Sequence, residues 1–289
     1  MSVPTSIKIP SDAVIPAEAG IQAVNLSQKN VENLDPRLRG DDDKYVDVAL
    51  ARSFFYRLLS FLLRHPSAPG TEAFYSEAID VWETALSALP HPKKTGLRSL
   101  ENLFKLIEST DEKEWAHAFE QTLGHTANSQ TPSYELEYGE EHSHRQPQQL
   151  ADIAAFYQAF GLVMDSHSGE RVDHASTECE FMSFLCFKEG VAREKDGEEK
   201  AEICRAASLR FFQDHLAPWL PAFATRLLKN SQSQILKQIA DFTFSFMALE
   251  SDYLQIPLAS DQMPIRAVEE NIETGCMSCA LNPMGAPAK

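Results

Sequence analysis

The sequence predicts an all-α fold, a single bundle-like domain of about eight helices. Two observations carry this. Apolar residues recur at helical steps from about residue 44 to residue 256, and no run alternates with period two for long enough to make a convincing strand. A third fits them: prolines gather between the periodic runs, where helices must stop.

In chain order, the segment KYVDVALARSFFYRLLSFLLRH sets Val48, Phe55, Leu58, Leu59, Leu62 and Leu63 on one broad stripe, with Pro66 beyond it. A second helix is expected from Thr71 to about Leu89, with Phe74, Ala78, Val81, Ala85 and Leu89 inward and Pro90 and Pro92 ending it. Shorter helices follow over Thr95–Glu108 and Asp111–Leu123, then an irregular stretch from Gly124 to Arg145. Helix resumes over Gln148–Leu162, from Asp173 to about Arg193, and over Glu198–Ala217. Pro218 and Pro221 are expected to break the chain before a short helix through Leu228. The last long helix carries Ile235, Ile239, Phe242, Phe246, Leu249 and Tyr253. This divides the chain into an extension (1–43), a helical domain (44–256) and an irregular tail (257–289). The extension is rich in proline, glycine and charge, and is expected to be poorly ordered. Its phrases VIPAEAGIQ and LDPRLRGDDD resemble translated bacterial palindromic intergenic repeats, which suggests an inserted element or a start codon assigned too far upstream.

Composition narrows the function. Lys plus Arg number 26 against 42 Asp plus Glu, a net charge of −16. That surface repels nucleic-acid phosphates and anionic lipid and suits a basic partner. The longest apolar run, Ser53–Leu63, is too short to cross a bilayer and contains Arg57. The N-terminal residues lack a basic start followed by an apolar block, so no secretory signal is read. Five cysteines without framework spacing point to a reducing compartment, the cytoplasm.

Three stretches could carry chemistry. Cys276 and Cys279 form a Cys-x-x-Cys pair that could supply two ligands to zinc or an iron–sulfur cluster, but no second pair completes a site. His142 and His144 are two apart, which does not put both rings on one helical face. His125 and His167 are read as solvated loop residues in the same way. The densest stretch is ERVDHASTECEFMSFLCFKEG, Glu170–Gly190. As a helix it places Ala175, Cys179, Met182 and Cys186 at steps of four, three and four, so its cysteines read as core. Asp173 reads as the N-cap, and His174 and Glu178, four apart, as a pair. Upstream, TPSYELEYGE offers ring faces and carboxylates for a cationic ligand.

These segments, in this order, resemble the TorD/DmsD/NarJ family of redox-enzyme maturation chaperones. The likeness runs from ARSFFYRLLSFLLRHPS through PSYELEYG, QQLADIAAFYQAFGLV and ERVDHASTECEFMSFLCFKEG to FFQDHLAPWLPAFATRLL, roughly Tyr45 to Tyr253. The resemblance implies an all-helical cytoplasmic chaperone, not an enzyme, that needs no cofactor of its own. It would bind the apo catalytic subunit of a molybdopterin-containing oxidoreductase, often at its twin-arginine signal peptide, while the molybdenum cofactor is inserted before export. It further implies that Asp173 and His174, with Tyr134, Glu135 and Tyr138 of the loop, line the peptide-binding region. Glu137 offers another carboxylate there, and Glu178 one turn into the helix. Ser133 replaces the loop's second family proline, and Cys179 stands where members often have leucine. Monomer and homodimer are both compatible with this reading.

Two other classes compete. One is a metal- or cluster-carrying assembly protein using Cys276, Cys279 and the His142/His144 loop. The other is an enzyme with His174 and Glu178 as general base, which no nucleophile, phosphate loop or cofactor motif accompanies.

Overall fold

A computed structural model describes residues 7–8, 41–90, 100–124, 129–140, 145–164 and 170–266. The candidate ligands Cys276, Cys279, His125, His142, His144 and His167 lie outside these residues. The chain is an all-α bundle. Its helices are α1 (Asp41–Leu62), α2 (Thr71–Ala88), α3 (Leu100–Ser109), α4 (Glu112–Leu123), α5 (Gln146–Ala159), α6 (Ala175–Val191), α7 (Glu198–Phe211), α8 (Ala217–Asn230) and α9 (Gln234–Leu254). A π-helical turn, Phe212–Leu216, joins α7 to α8 without a break, and another, Ala192–Asp196, follows α6. Among the described residues the one paired strand element is a two-residue antiparallel pair: β1 (Ile7–Lys8) lies against β2 (Val163–Met164), with Ile7 opposite Met164.

Local chemistry accounts for several boundaries. Asp111 caps α4, its carboxylate accepting from the amides of Lys113 and Glu114. Gly197 sits at φ 97° between the π-helical turn and α7, where a residue with a Cβ would be strained. The proline-rich segment differs from the sequence expectation: Pro218 and Pro221 lie inside one helix, α8. Pro218 stands in the first turn of α8, directly after the π-helical turn. Pro221 cannot donate to the carbonyl of Ala217 four residues back, and the amide of Ala259 donates to it instead at 3.1 Å. The segment after α9 therefore completes a hydrogen bond that the proline removed.

The core forms where α1 lies along α6, with α9 across α8. The expected stripe of α1 is buried from Val48 to Leu63, and Cys179, Met182 and Cys186 of α6 are fully buried. On α2, Phe74, Ala78 and Leu89 are buried, while Val81 and Ala85 are partly so. Small residues let α1 and α6 approach: Ser53 Oγ donates to the Ser183 carbonyl and Ser183 Oγ to that of Ser53, both at 2.8 Å. Phe55, Tyr56, Phe242 and Phe246 pack in tilted and edge-on pairs between α1 and α9.

One feature of this core was not anticipated. Arg52, in the middle of the greasy first helix, is buried and pairs with Glu250 of α9. Its Nε donates to Glu250 Oε1 at 2.9 Å and its Nη2 to Oε2 at 2.8 Å, while Tyr56 donates to Oε2 at 2.8 Å. Glu189 of α6 lies 3.6 Å from Arg52 Nη1, so three helices meet at one guanidinium. Glu250→Gln leaves Arg52 buried with a single, longer carboxylate contact. We expect it to lower the unfolding free energy by about 3–5 kcal/mol, measured by denaturant titration. A loss under about 1 kcal/mol would mean that water reaches the pair.

Candidate functional site

The candidate site is a corner where the loop 131–140 lies across the start of α6. Short backbone pairings join the two. Tyr134 and His174 form an antiparallel bridge, the amide of Glu135 donates to the Asp173 carbonyl at 2.9 Å, and that of Ala175 donates to the Ser133 carbonyl at 2.8 Å. The last contact uses only the carbonyl of Ser133, which a proline would supply equally. On the loop's other side, the segment after α9 closes over it. Gly139 donates to the Pro264 carbonyl at 2.9 Å, Arg266 to the Glu137 carbonyl at 2.7 Å, and Tyr138 bridges Ile265.

The N-cap of α6 is His174, not Asp173 as the sequence suggested. Its Nδ1 accepts from the Ser176 amide at 3.2 Å and meets the Ser176 hydroxyl at 2.7 Å. An imidazole nitrogen that accepts suits a helix N-terminus, whose free amides need acceptors. The ring hydrogen then lies on Nε2, 3.8 Å from Glu170 Oε2. The expected His174–Glu178 pairing gives way to this arrangement, because Glu178 points into the interior.

Asp173, freed from capping, anchors the loop. It accepts from the Leu136 amide at 3.2 Å and takes both arms of Arg171, Nε at 2.9 Å and Nη2 at 2.7 Å. Arg171 also reaches Glu137 at 3.2 Å, and its guanidinium lies 4.6 Å from the Tyr134 ring centroid. Tyr134 packs edge-on against His174 and donates to Glu170 at 3.3 Å. Burial raises the Asp173 carboxyl above its ordinary range, and Arg171 opposes that rise.

A second carboxylate cluster lies beneath. Glu178 is fully buried, and Trp219 Nε1 donates to its Oε2 at 3.1 Å. Glu135 lies beside Glu178 and holds His215 Nδ1 at 3.1 Å. Burial, then the neighbouring Glu135 and Asp173 charges, push the Glu178 carboxyl well above its ordinary value. A proton on Glu178 turns the repulsion with Glu135 into a hydrogen bond. Tyr138 is buried as well, its hydroxyl donating to the Pro132 carbonyl at 2.8 Å and its ring tilted against Trp219.

The structure thus brings all seven sequence-derived residues to one corner at two depths. Tyr134 and Glu137 reach solvent and Glu135 does so partly, whereas Tyr138, Asp173, His174 and Glu178 are buried. Sequence reasoning did not assign Arg171, Glu170, His215 or Trp219 to the site, although the last two lie in the phrase DHLAPW, whose four-residue spacing puts both on one helical face. Among the described residues, no group of three or more His, Cys, Asp or Glu could hold a metal ion.

Comparison with known proteins agrees with this picture. Residues 87–225 match the family model described as nitrate reductase delta subunit. The selenate reductase assembly chaperone protein of Thauera selenatis is 40% identical over 78 residues, 27% of this chain and 39% of that protein. The perchlorate reductase assembly chaperone protein of Dechloromonas aromatica is 27% identical over 208 residues, 70% of this chain and 89% of that one. The chaperone protein TorD of Photobacterium profundum is 26% identical over 103 residues, 36% and 46% of the two chains. The chain spans only 39% of the length of the selenate reductase chaperone and of the chlorate reductase assembly chaperone protein of Ideonella dechloratans. The chain is thus similar over residues 87–225 to the nitrate reductase delta subunit family and, over the stretches given, to assembly chaperone proteins of reductases, on an all-helical fold.

The raised Glu178 carboxyl makes stability depend on pH. The folded chain keeps a proton that the unfolded chain releases. The associated stability is full below the ordinary carboxylate value of about 4.3 and is lost as pH rises toward the folded value. Glutamine keeps the uncharged shape, so Glu178→Gln should flatten this decline and leave the variant at least as stable as the parent at pH 8. Thermal melts from pH 4 to pH 8 measure it, and a large loss confined to high pH would show an ionised Glu178.

Proposed function

We propose that this protein is a molybdoenzyme assembly chaperone working in the cytoplasm. It binds the apo catalytic subunit of a molybdopterin oxidoreductase at its leader peptide and holds it while the cofactor is inserted, before export. The reading rests chiefly on relatives named as assembly chaperones of selenate, chlorate and perchlorate reductases. Their names favour an oxyanion reductase as the client. The protein acts by binding, with no catalytic step of its own, as a monomer or homodimer.

The corner supports the reading by its chemistry. Glu137, Glu170 and the Tyr134 ring offer carboxylates and a ring face at the surface, partners that planar guanidinium groups favour over ammonium groups. The net charge of −16 speeds the approach of a basic leader. No described helix is long and apolar enough to cross a membrane.

The direct test is co-purification from cells that make a candidate oxyanion reductase: its catalytic subunit should be captured before cofactor loading, and not after. Calorimetry with the synthetic leader tests the corner. Glu137→Gln should weaken binding by about tenfold with helical content unchanged, the worth of a charge-assisted hydrogen bond of roughly 1.5 kcal/mol. Asp173→Ala and His174→Ala should weaken it too, although each also loosens the loop. Unchanged affinity in all three variants would put the binding surface elsewhere.

A further inference from the structure

The corner already contains an arginine. Arg171 meets Asp173 through two parallel hydrogen bonds of 2.9 and 2.7 Å, reaches Glu137 at 3.2 Å and lies over the Tyr134 ring at 4.6 Å. Two carboxylates, one of them bidentate, and an aromatic face are the partners that a planar guanidinium favours. We infer that this is a pocket for a single arginine side chain, that Arg171 fills it in the free protein, and that a ligand arginine enters by displacing Arg171.

The burial pattern permits the exchange. The Asp173 side chain is fully buried, yet the Arg171 side chain covering it is 40% exposed and Glu137 is 35% exposed. The cover faces water, so it can swing outward without unpacking the core. Asp173 itself is held by the Leu136 amide, and the loop by the pairings of Glu135 and Ala175. The receptor half of the pocket is therefore built into the backbone, while the occupant stands on one flexible side chain. A departing Arg171 loses two charge-assisted bonds to Asp173 and an incoming guanidinium restores them, so the exchange is near balance. A lysine cannot complete it, since a compact ammonium lacks the two-armed geometry. The same corner that attracts a basic leader would thus reject sequences lacking arginine, at the cost of affinity set by the fraction of time that Arg171 is out.

This inference rests on the proposed leader-binding role but is tested apart from it. Two probes are titrated calorimetrically into the full chain and into Arg171→Gln: a leader peptide with adjacent arginines, and its twin with lysines at both positions. Arg171→Gln should bind the arginine peptide about tenfold more tightly than the parent, because the competent fraction rises, and the lysine peptide no better. Equal or weaker arginine-peptide binding by a folded Arg171→Gln overturns the inference while leaving the chaperone reading in place. A third probe, acetyl-arginine methylamide, separates the converse: if Arg171→Gln binds it and no form binds the leader, the pocket stands and the leader-binding reading falls. Should Arg171→Gln fold poorly, the parent decides alone. The Nε–H resonance of Arg171, observed by nitrogen-resolved NMR, should move to the position of a solvated guanidinium on saturation with the arginine peptide. A resonance that stays in place overturns the displacement.

Discussion

A guanidinium buried among helices must be met by a carboxylate, and that demand decides which helices of this protein can be neighbours. Arg52 sits on the apolar face of α1, where leaving its charge unpaired would cost several kcal/mol. Glu250 answers from α9 with both oxygens, Tyr56 adds a hydroxyl, and Glu189 approaches from α6. Such a pair adds little net stability over a well-packed apolar substitute, because desolvation offsets the attraction. What it supplies is orientation: α9 cannot rotate or slide along α1 without stranding a charge. The reciprocal Ser53–Ser183 bonds set the depth of the α1–α6 contact in the same region.

The candidate site repeats this principle nearer the surface. A loop with a single 3₁₀ turn, Glu135–Glu137, becomes a shaped surface because carboxylates on it and at the start of α6 are each given a fixed partner. Asp173 is bound to Arg171 and the Leu136 amide, Glu135 to His215, and Glu178 to Trp219. The loop is thereby tied to α6 on one side and to the π-helical turn before α8 on the other. The segment after α9 closes the third side through Gly139 and Arg266. A surface assembled from four chain segments transmits any disturbance at Arg171 or Glu135 to the helices beneath.

Much of the architecture was legible in the sequence because helical periodicity is a local signal. The apolar faces of α1, α2 and α9 and the limits of α2 and α4 follow from residue spacing and proline position, and the burial of Cys179, Met182 and Cys186 follows from their steps of four and three. The reading failed where a local rule met a distant partner. Pro221 should end a helix, yet the helix continues, since Ala259 donates the bond that the proline cannot. Asp173 should cap α6, yet Arg171 and the loop claim its carboxylate and His174 takes the capping role. In each case the competing group lies outside the window that a local rule can see.

The amino-acid sequence by itself determined that the chain is all-helical, which faces of its helices are greasy, and which short phrases carry polar residues that the helical pattern leaves unexplained. Only the tertiary structure decided what those polar residues do. It sorted one phrase into a capping histidine, a loop-anchoring aspartate and a buried glutamate, and it set Arg171 against the carboxylates that a ligand arginine would use. The reason is one of range. Helix formation depends on neighbours within a turn, whereas the role of a charge depends on whichever opposite charge or donor the finished fold brings within about 3 Å of it.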